Sequence, residues 1–215
     1  MTMFFSRFFQ SSRTALLGLA LSLAVLPAAQ ARQAVNPKAA PDAFMMAVAG
    51  NMLDAVKADP KALQGDTSHI TALVREYALP YVDMNKTTRL AAGRYWRQAT
   101  PAQQQALVDA FMGTLIRTYS GAFTKVTPDT SMALLPFRGD DATGDAVVRT
   151  TVSQSNSSPI NVDYRLEQTD AGWKVYDLAV EGIWLIQNYR NQFSQEIARS
   201  GIDGLIQALN AKNGG

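Results

Sequence analysis

The hydrophobic period of this chain changes twice along its length, and that constrains its architecture more than any single motif. Phe44, Val48, Met52 and Val56 recur at helical spacing, as do Ile70, Leu73, Val74 and Tyr77. From about residue 131 the period falls to two. Ala146, Val148, Thr150 and Val152 alternate with more polar neighbours, and Ile160, Val162, Tyr164 and Leu166 alternate with Asn161, Asp163, Arg165 and Glu167. Beyond Gly182 the helical spacing returns, with Ile183, Ile186, Phe193 and Ile197 on one stripe and Trp184 and Tyr189 beside it. Helices, then an antiparallel meander, then helices again spell an α+β domain in which the helices cover one face of the sheet.

Local signals set the boundaries. Pro41-Asp42 opens the first helix and Asp59-Pro60 closes it, Pro80 stops the second, and a third follows Asp83 through Leu90 and Trp96. Thr100-Pro101-Ala102-Gln103 is a capping box with Pro at the first helical position. The helix it starts is unusually broad on its apolar side: Leu107, Val108, Phe111, Met112, Leu115, Ile116 and Tyr119 fill two adjacent stripes, so more than one partner must cover it. Strands are expected at Met132 to Phe137, 146–153, 160–167 and 173–180, with an acidic turn at 139–145 and a tight break at Glu181-Gly182. The last strand is apolar on both faces, Trp173 and Val175 on one and Tyr176, Leu178 and Val180 on the other. Gly201-Ile202-Asp203-Gly204 reads as the end of one helix and the start of another.

The termini place the chain in a compartment. Arg7 and Arg13, the apolar run from Ala15 to Leu26 and the Ala29-Gln30-Ala31 cleavage pattern make residues 1–31 a secretory signal peptide, removed near Ala31. Its apolar run falls short of the about 20 residues a spanning helix needs. What remains, residues 32–215, is expected to be a single exported soluble domain, with a flexible stretch at 32–40. Loss of Arg7 and Arg13 balances basic and acidic residues, so the basic charge belongs to the precursor and gives no support to nucleic-acid binding.

Little here can carry covalent chemistry. The chain has no Cys and one His, which removes thiol nucleophiles, thiolate metal sites and the His-rich zinc patterns. His69 sits inside a helix start with no ligand-spaced partner. Asp163 and Glu167 flank Arg165 on a polar strand face, which is what a solvated sheet surface looks like. Asp140, Asp141 and Asp145 fit no calcium-loop spacing. Phosphate-binding Gly loops and the nucleophile elbow are absent. The expectation is therefore a protein that is no enzyme and that holds no metal or cofactor. Arg75, Lys86, Arg89, Arg94 and Arg97, interleaved with Tyr81, Tyr95 and Trp96, form a basic amphipathic stretch suited to anionic headgroups or an acidic partner.

Two stretches also resemble a known family. The run VYDLAVEG, LIQNYRNQF, EI and GIDGLI across 175–206, and GRYWRQATPAQQQALVDAFMGTLIRTYSGAF at 93–123, are similar to the signatures of the MlaC/Ttg2D group of periplasmic phospholipid-binding proteins, the toluene-tolerance family. Trp184 departs from that pattern, which leads one to expect a small residue such as Ser. The resemblance implies an NTF2-like cone: N-terminal helices, an antiparallel four-stranded curved sheet, C-terminal helices packed on it and an apolar cavity between. It also implies a periplasmic carrier whose cargo is a diacyl phospholipid. Its partners would be an outer-membrane lipoprotein–porin complex and an inner-membrane ABC transporter bearing an MCE-domain protein, and its role the maintenance of outer-membrane lipid asymmetry.

On that reading the acyl-chain cavity is lined by Phe111, Leu115, Tyr119, Val148, Val152, Val162, Tyr164, Leu166, Val180, Ile183, Ile186, Tyr189 and Phe193, with Arg190, Arg97 and Trp184 at the headgroup rim. Opening for hand-over is expected near Glu181-Gly182 and the helix after it. The alternative is a non-enzymatic periplasmic binding or adaptor module whose core is dry and packed.

Overall fold

The computed structural model describes residues 32–136 and 144–214. The expected signal peptide at 1–31, Phe137 and most of the acidic turn, with Asp140 and Asp141, lie outside the described residues. Among the described residues, six helices and five strands run in the order helices, strands, helix. The first helices are α1 (Pro41–Ala58), α2 (Pro60–Leu63) and α3 (Thr67–Leu73). A π-helical turn (Val74–Ala78) and a 3-10 turn (Leu79–Tyr81) lead into α4 (Met84–Ala92), then come a second 3-10 turn (Gly93–Gln98) and α5 (Pro101–Phe123). The sheet is β1 (Ser131–Leu134), β2 (Asp145–Ser153), β3 (Ile160–Thr169), β4 (Gly172–Val180) and β5 (Ile183–Trp184), and α6 (Leu185–Asn213) closes the chain.

Polar side chains fix the helix ends. Asp59, Asp66 and Asp83 cap α2, α3 and α4 by accepting from first-turn N–H groups. The Thr100–Gln103 capping box forms in both directions, Gln103 N–H to Thr100 Oγ1 at 3.2 Å and Thr100 N–H to Gln103 Oε1 at 3.0 Å. Gly201, at φ 73° and ψ −178°, breaks α6 into two arms, as the Gly201–Gly204 run implied.

The sheet is an antiparallel meander in the order β1-β2-β3-β4-β5. It has five strands where four were expected. The fifth is two residues long, because Glu181 and Gly182, both at positive φ, make a two-residue hairpin turn that returns the chain along β4. Glu181 is an unfavourable residue for that backbone region, and it is held there by β3: its N–H donates to Asn161 O at 3.0 Å, and its carboxylate accepts from Asn161 N–H. Ile183 therefore belongs to the sheet and not to the helical stripe, which begins at Leu185.

One irregularity reorganises β4. Arg165 pairs with Asp177 and Leu166 with Val175, so Tyr176 is an extra residue in the ladder. Strict alternation put Trp173 and Val175 opposite Leu178 and Val180. The bulge corrects this: Trp173, Val175, Leu178 and Val180 all share the face of Leu166, Tyr164 and Val162, and Asp177 turns to the other side with Arg165.

Two cores result. One lies between α1 and half of the sheet, with Phe44, Met45 and Val48 against Val148, Leu166, Trp173 and Val175. The other lies among α4, α5 and both arms of α6, around Trp96, Leu107, Phe111, Tyr189, Phe193 and Leu209. Residues 32–40, expected to be flexible, form a strap instead. Asn51 exchanges two hydrogen bonds with Gln33 (2.9 and 2.8 Å), Trp173 N–H donates to Pro37 O at 2.7 Å, and the Trp173 indole donates to Ala39 O at 3.1 Å. The strap passes so close to Gly172 that a Cβ there would stand 2.3 Å from Pro37 O, at a φ of 107° that disfavours side chains. Gly172→Ala is expected to release the strap and cost about 2 kcal/mol, seen as a lower Tm and faster proteolysis within 32–40; unchanged cleavage would show that the strap is held from elsewhere.

Candidate functional site

Cross-strand pairing arranges the inner face of the sheet in rows. Ala146, Leu166 and Val175 form one row, and Val148, Tyr164 and Leu178 the next. The third row crosses all five strands: Leu134, Thr150, Val162, Val180 and Ile183. The fourth is Met132, Val152 and Ile160. Burial divides them. Val148 and Leu166 are sealed beneath α1 at 0% exposure, whereas Leu134 (40%), Ile160 (43%) and Ile183 (64%) stand open and Val152, Val162 and Val180 are half-buried. Thr150, in the middle of the third row, is itself fully buried, and its hydroxyl is satisfied by Val162 O at 2.9 Å.

A cavity of about 180 Å³ continues this wall toward the helices. It is bounded by Val74, Ala78 and Leu79, by Val82 and Met84, by Met112, Leu115 and Ile116 of α5, and by Val175, Leu178 and Leu185. Leu178 lies two residues from Val180 on the same face, so the cavity wall runs directly into the open row. A partly open row of mainly aliphatic side chains beside an apolar cavity suits long apolar chains.

The expected site residues separate into four groups, one of them Val148 and Leu166 beneath α1. Val152, Val162, Val180 and Ile183 form the open wall, with Tyr164 beside it; burial pushes the Tyr164 hydroxyl up to about 12, with Asp163 adding to the rise and a bond to Thr150 opposing it. Leu115 lines the cavity. Phe111, Tyr189 and Phe193 instead make an aromatic triad inside the helical core, Phe111 edge-on to the other two at 4.8 and 4.9 Å. Tyr119 is half-buried next to Tyr189, which together with burial raises its hydroxyl pKa, and Ile186 is buried in the first turn of α6. Val74, Met112, Ile116, Leu178 and Leu185 line the cavity without having been expected there. Met112 and Ile116 were visible as the second stripe of α5, but the sequence does not say which stripe faces the sheet.

The rim candidates have local partners. Arg190 wraps the C-terminal end of α4, donating to Leu90 O from Nε (3.1 Å) and Nη2 (2.9 Å), and Arg97 is exposed on the 3-10 turn after α4. Trp184 lies over the Arg165 guanidinium, 3.8 Å from its ring centroid. Beneath it Arg165 Nη1 donates to Asp177 Oδ2 at 3.1 Å, and Asp177 Oδ1 accepts from Ile186 N–H at 3.1 Å, capping the start of α6. The Asp177 side chain is 0% exposed, and burial raises its pKa against the opposing Ile186 N–H and Arg165. On the same outer face Lys86 pairs with Glu167 and stacks on Tyr176 at 3.8 Å. His69 Nδ1 meets Asp59 Oδ2 at 2.9 Å, a helix-end pair outside the cavity. Among the described residues no group of three or more metal-ligating side chains gathers, and no helix is long and apolar enough to cross a membrane.

The chain is similar to known proteins in sequence and in fold. The model of the MlaC protein family matches residues 46–211. The phospholipid-binding protein from Ralstonia solanacearum, solved in complex with a phospholipid, is similar at 40% identity and a TM-score of 0.76, over 80% of this chain and 96% of that one. The toluene tolerance protein ttg2D of Pseudomonas putida is 30% identical over 125 residues, 58% of this chain and 57% of that protein. The intermembrane phospholipid transport system binding protein MlaC of Haemophilus influenzae is 21% identical over 175 residues, 79% of this chain and 80% of that one.

The buried carboxylate gives a pH signature. Because its pKa is higher folded than unfolded, the native state binds more protons at Asp177 in the window between, and this contribution to stability is lost as pH rises. Asp177→Asn removes that titration while keeping an acceptor for Ile186 N–H. The stability of the Asn variant relative to the parent should climb from about pH 4, the ordinary aspartate range, and level off above the raised value. A relative stability flat across denaturation curves from about pH 3 to 8 would contradict the assignment.

Proposed function

This chain belongs to the MlaC family, and from that premise we propose that it is a soluble periplasmic carrier that takes the acyl chains of a phospholipid into the apolar cavity and onto the open sheet row. It would shuttle the lipid between an outer-membrane lipoprotein–porin complex and an inner-membrane ABC transporter with an MCE-domain protein, and so maintain outer-membrane asymmetry. The leader at 1–31 would be cleaved near Ala31 on export, leaving one lipid-binding domain at 32–215. The carrier performs no covalent chemistry; its work is desolvated binding, diffusion and hand-over, with phospholipid as cargo and no cofactor.

The observation that supports this reading is the row Leu134, Thr150, Val162, Val180 and Ile183, aliphatic but for the buried Thr150, with Leu134 and Ile183 exposed and Val162 and Val180 half-buried. A diacyl lipid hides about 30 methylenes at ~0.8 kcal/mol each, so its passage through water costs on the order of 20 kcal/mol unless a protein shields it. Shielding both chains takes roughly 1,000 Å³, while the cavity between α5 and β4 offers about 180 Å³. The balance must come from the open row, closed over by the chains themselves. An adaptor with a dry, packed core has no use for such a row.

The mature chain, purified without added lipid, is expected to carry diacyl phospholipid at about one per protein, detected by native mass spectrometry and by organic extraction. Val162→Trp should fold normally at its half-buried site yet retain at least about tenfold less lipid. Leu166 serves poorly for this test, since it is 0% exposed in the α1 core and Trp there overpacks it. A folded Val162→Trp protein with its lipid intact would displace the row from the site, and a parent chain that neither carries nor takes up lipid would favour the adaptor.

A further inference from the structure

A second recess lies on the flank of α5 that adjoins the cavity. The seam between α3 and α5 holds a groove of about 490 Å³, walled by Thr67, Thr71 and Arg75 on one side and by Asp109 and Arg117 on the other. Met112 and Ile116 form its floor, and both also line the apolar cavity, so two half-buried side chains are shared between a charged groove and an apolar pocket. The π-helical turn sharpens the division. Its widened geometry sends Val74 and Ala78 to the cavity and Arg75, between them, to the groove; such turns recur at functional sites.

The charges are arranged for an anion. Arg75 and Arg117 are both exposed. Arg75 makes no side-chain hydrogen bond or ion pair among the described residues, and its acidic neighbour Glu76 is engaged by Arg32 at 3.5 Å. Arg117 touches only Asn213 O, at 3.5 Å through Nη1, leaving most of its five donors free. The carboxylate at the groove, Asp109, sits two turns before Arg117, about 12 Å along α5, and its Oδ1 accepts from Gln105 at 3.0 Å. Asn213 is itself held at the groove's end by Ala110 O and the Thr114 hydroxyl (2.9 and 3.1 Å), fitting against Gly113, where a Cβ would stand 2.7 Å from its amide.

We propose that this groove binds the phosphate of the cargo lipid, with Arg75 and Arg117 as its arms and the Met112–Ile116 pair as a portal to the cavity. The inference rests on the carrier reading and adds to it a recognition element for the phosphodiester. Two guanidinium forks on a partly enclosed groove suit a phosphate, and a flexible Met thioether at the floor lets an acyl chain pass beneath it. An amphiphile spanning the portal keeps its anionic end with the arginines and its chains with the sheet.

The test loads the purified mature protein from vesicles containing phosphatidylglycerol and diacylglycerol of identical chains and counts each by native mass spectrometry. Arg75→Ala/Arg117→Ala should hold about tenfold less phosphatidylglycerol with diacylglycerol unchanged, and Arg75→Lys/Arg117→Lys should recover most of the loss. Should the double variant not fold, Arg117→Gln alone carries the comparison. Equal retention of both lipids, or equal loss of both from a folded variant, overturns the groove and leaves the carrier reading standing. Inorganic phosphate that binds by calorimetry only when both arginines are present, without any change in phosphatidylglycerol retention, also overturns it in favour of free phosphate. A parent protein that takes up neither lipid takes down both readings.

Discussion

The carboxylate of Asp177 is the point on which β3, β4 and α6 depend. It is fully enclosed, and both of its oxygens are engaged, one by the Ile186 N–H in the first turn of α6 and the other by Arg165 from β3. Burying a carboxylate is costly unless it is paired and hydrogen-bonded, and both conditions exist only because the extra residue Tyr176 turns Asp177 to the outer face beside Arg165. Without the bulge, the carboxylate would enter the apolar inner face and Leu178 and Val180 would leave it. One inserted residue thus builds the anchor on the outside and the aliphatic row on the inside.

Having two cores makes an incompletely covered sheet tolerable. Half of the sheet is closed by α1 and the N-terminal strap; the helices α4, α5 and α6 close on each other around the aromatic triad. Neither core needs the third and fourth rows of the sheet for its own burial. At about 25 cal/mol per Å², leaving those rows open forfeits stability that a tightly packed sandwich would have, and a binding protein regains it when apolar cargo covers them. The same logic explains why the aromatic residues of α6, which a sequence pattern marks as greasy, sit inside the helical core while the smaller β-branched residues of the strands form the wall.

Much of this is legible in the sequence. The two changes of hydrophobic period imply helix, meander and helix; Thr100 and Gln103 mark the start of α5; Glu181-Gly182 and Gly201 mark the turn and the kink. The α+β fold and the aliphatic alternation of 160–166 follow from side-chain type alone. What escapes is long-range. Nothing local distinguishes Tyr176 as a bulge, since Tyr suits either face of a strand, and so the facing of β4 emerges only from its pairing with β3. The strap at 32–40 is ordered by backbone partners at Trp173 and Asn51, more than a hundred residues away in the first case, and its own composition is that of a loose terminus. Trp184 lies over the Arg165–Asp177 pair, a role that only the fold reveals. Likewise the second stripe of α5 is visible while its destination is not, because which stripe meets which neighbour is decided by packing.

These bonds also bear on where the molecule can open. The turn at Glu181-Gly182 looks like a hinge in sequence, yet it is fastened to Asn161 by two hydrogen bonds and followed at once by the Asp177 cap and the stacked Trp184. Opening there means giving up several polar contacts together, the Ile186–Asp177 bond among them buried. The opposite wall is held differently: the π-helical turn, Met112 and Ile116 meet the cavity through apolar contacts, which can slide and re-form without stranding a polar group. If the cavity widens from about 180 Å³, the helical side would yield at less cost than the sheet and its α6 anchor.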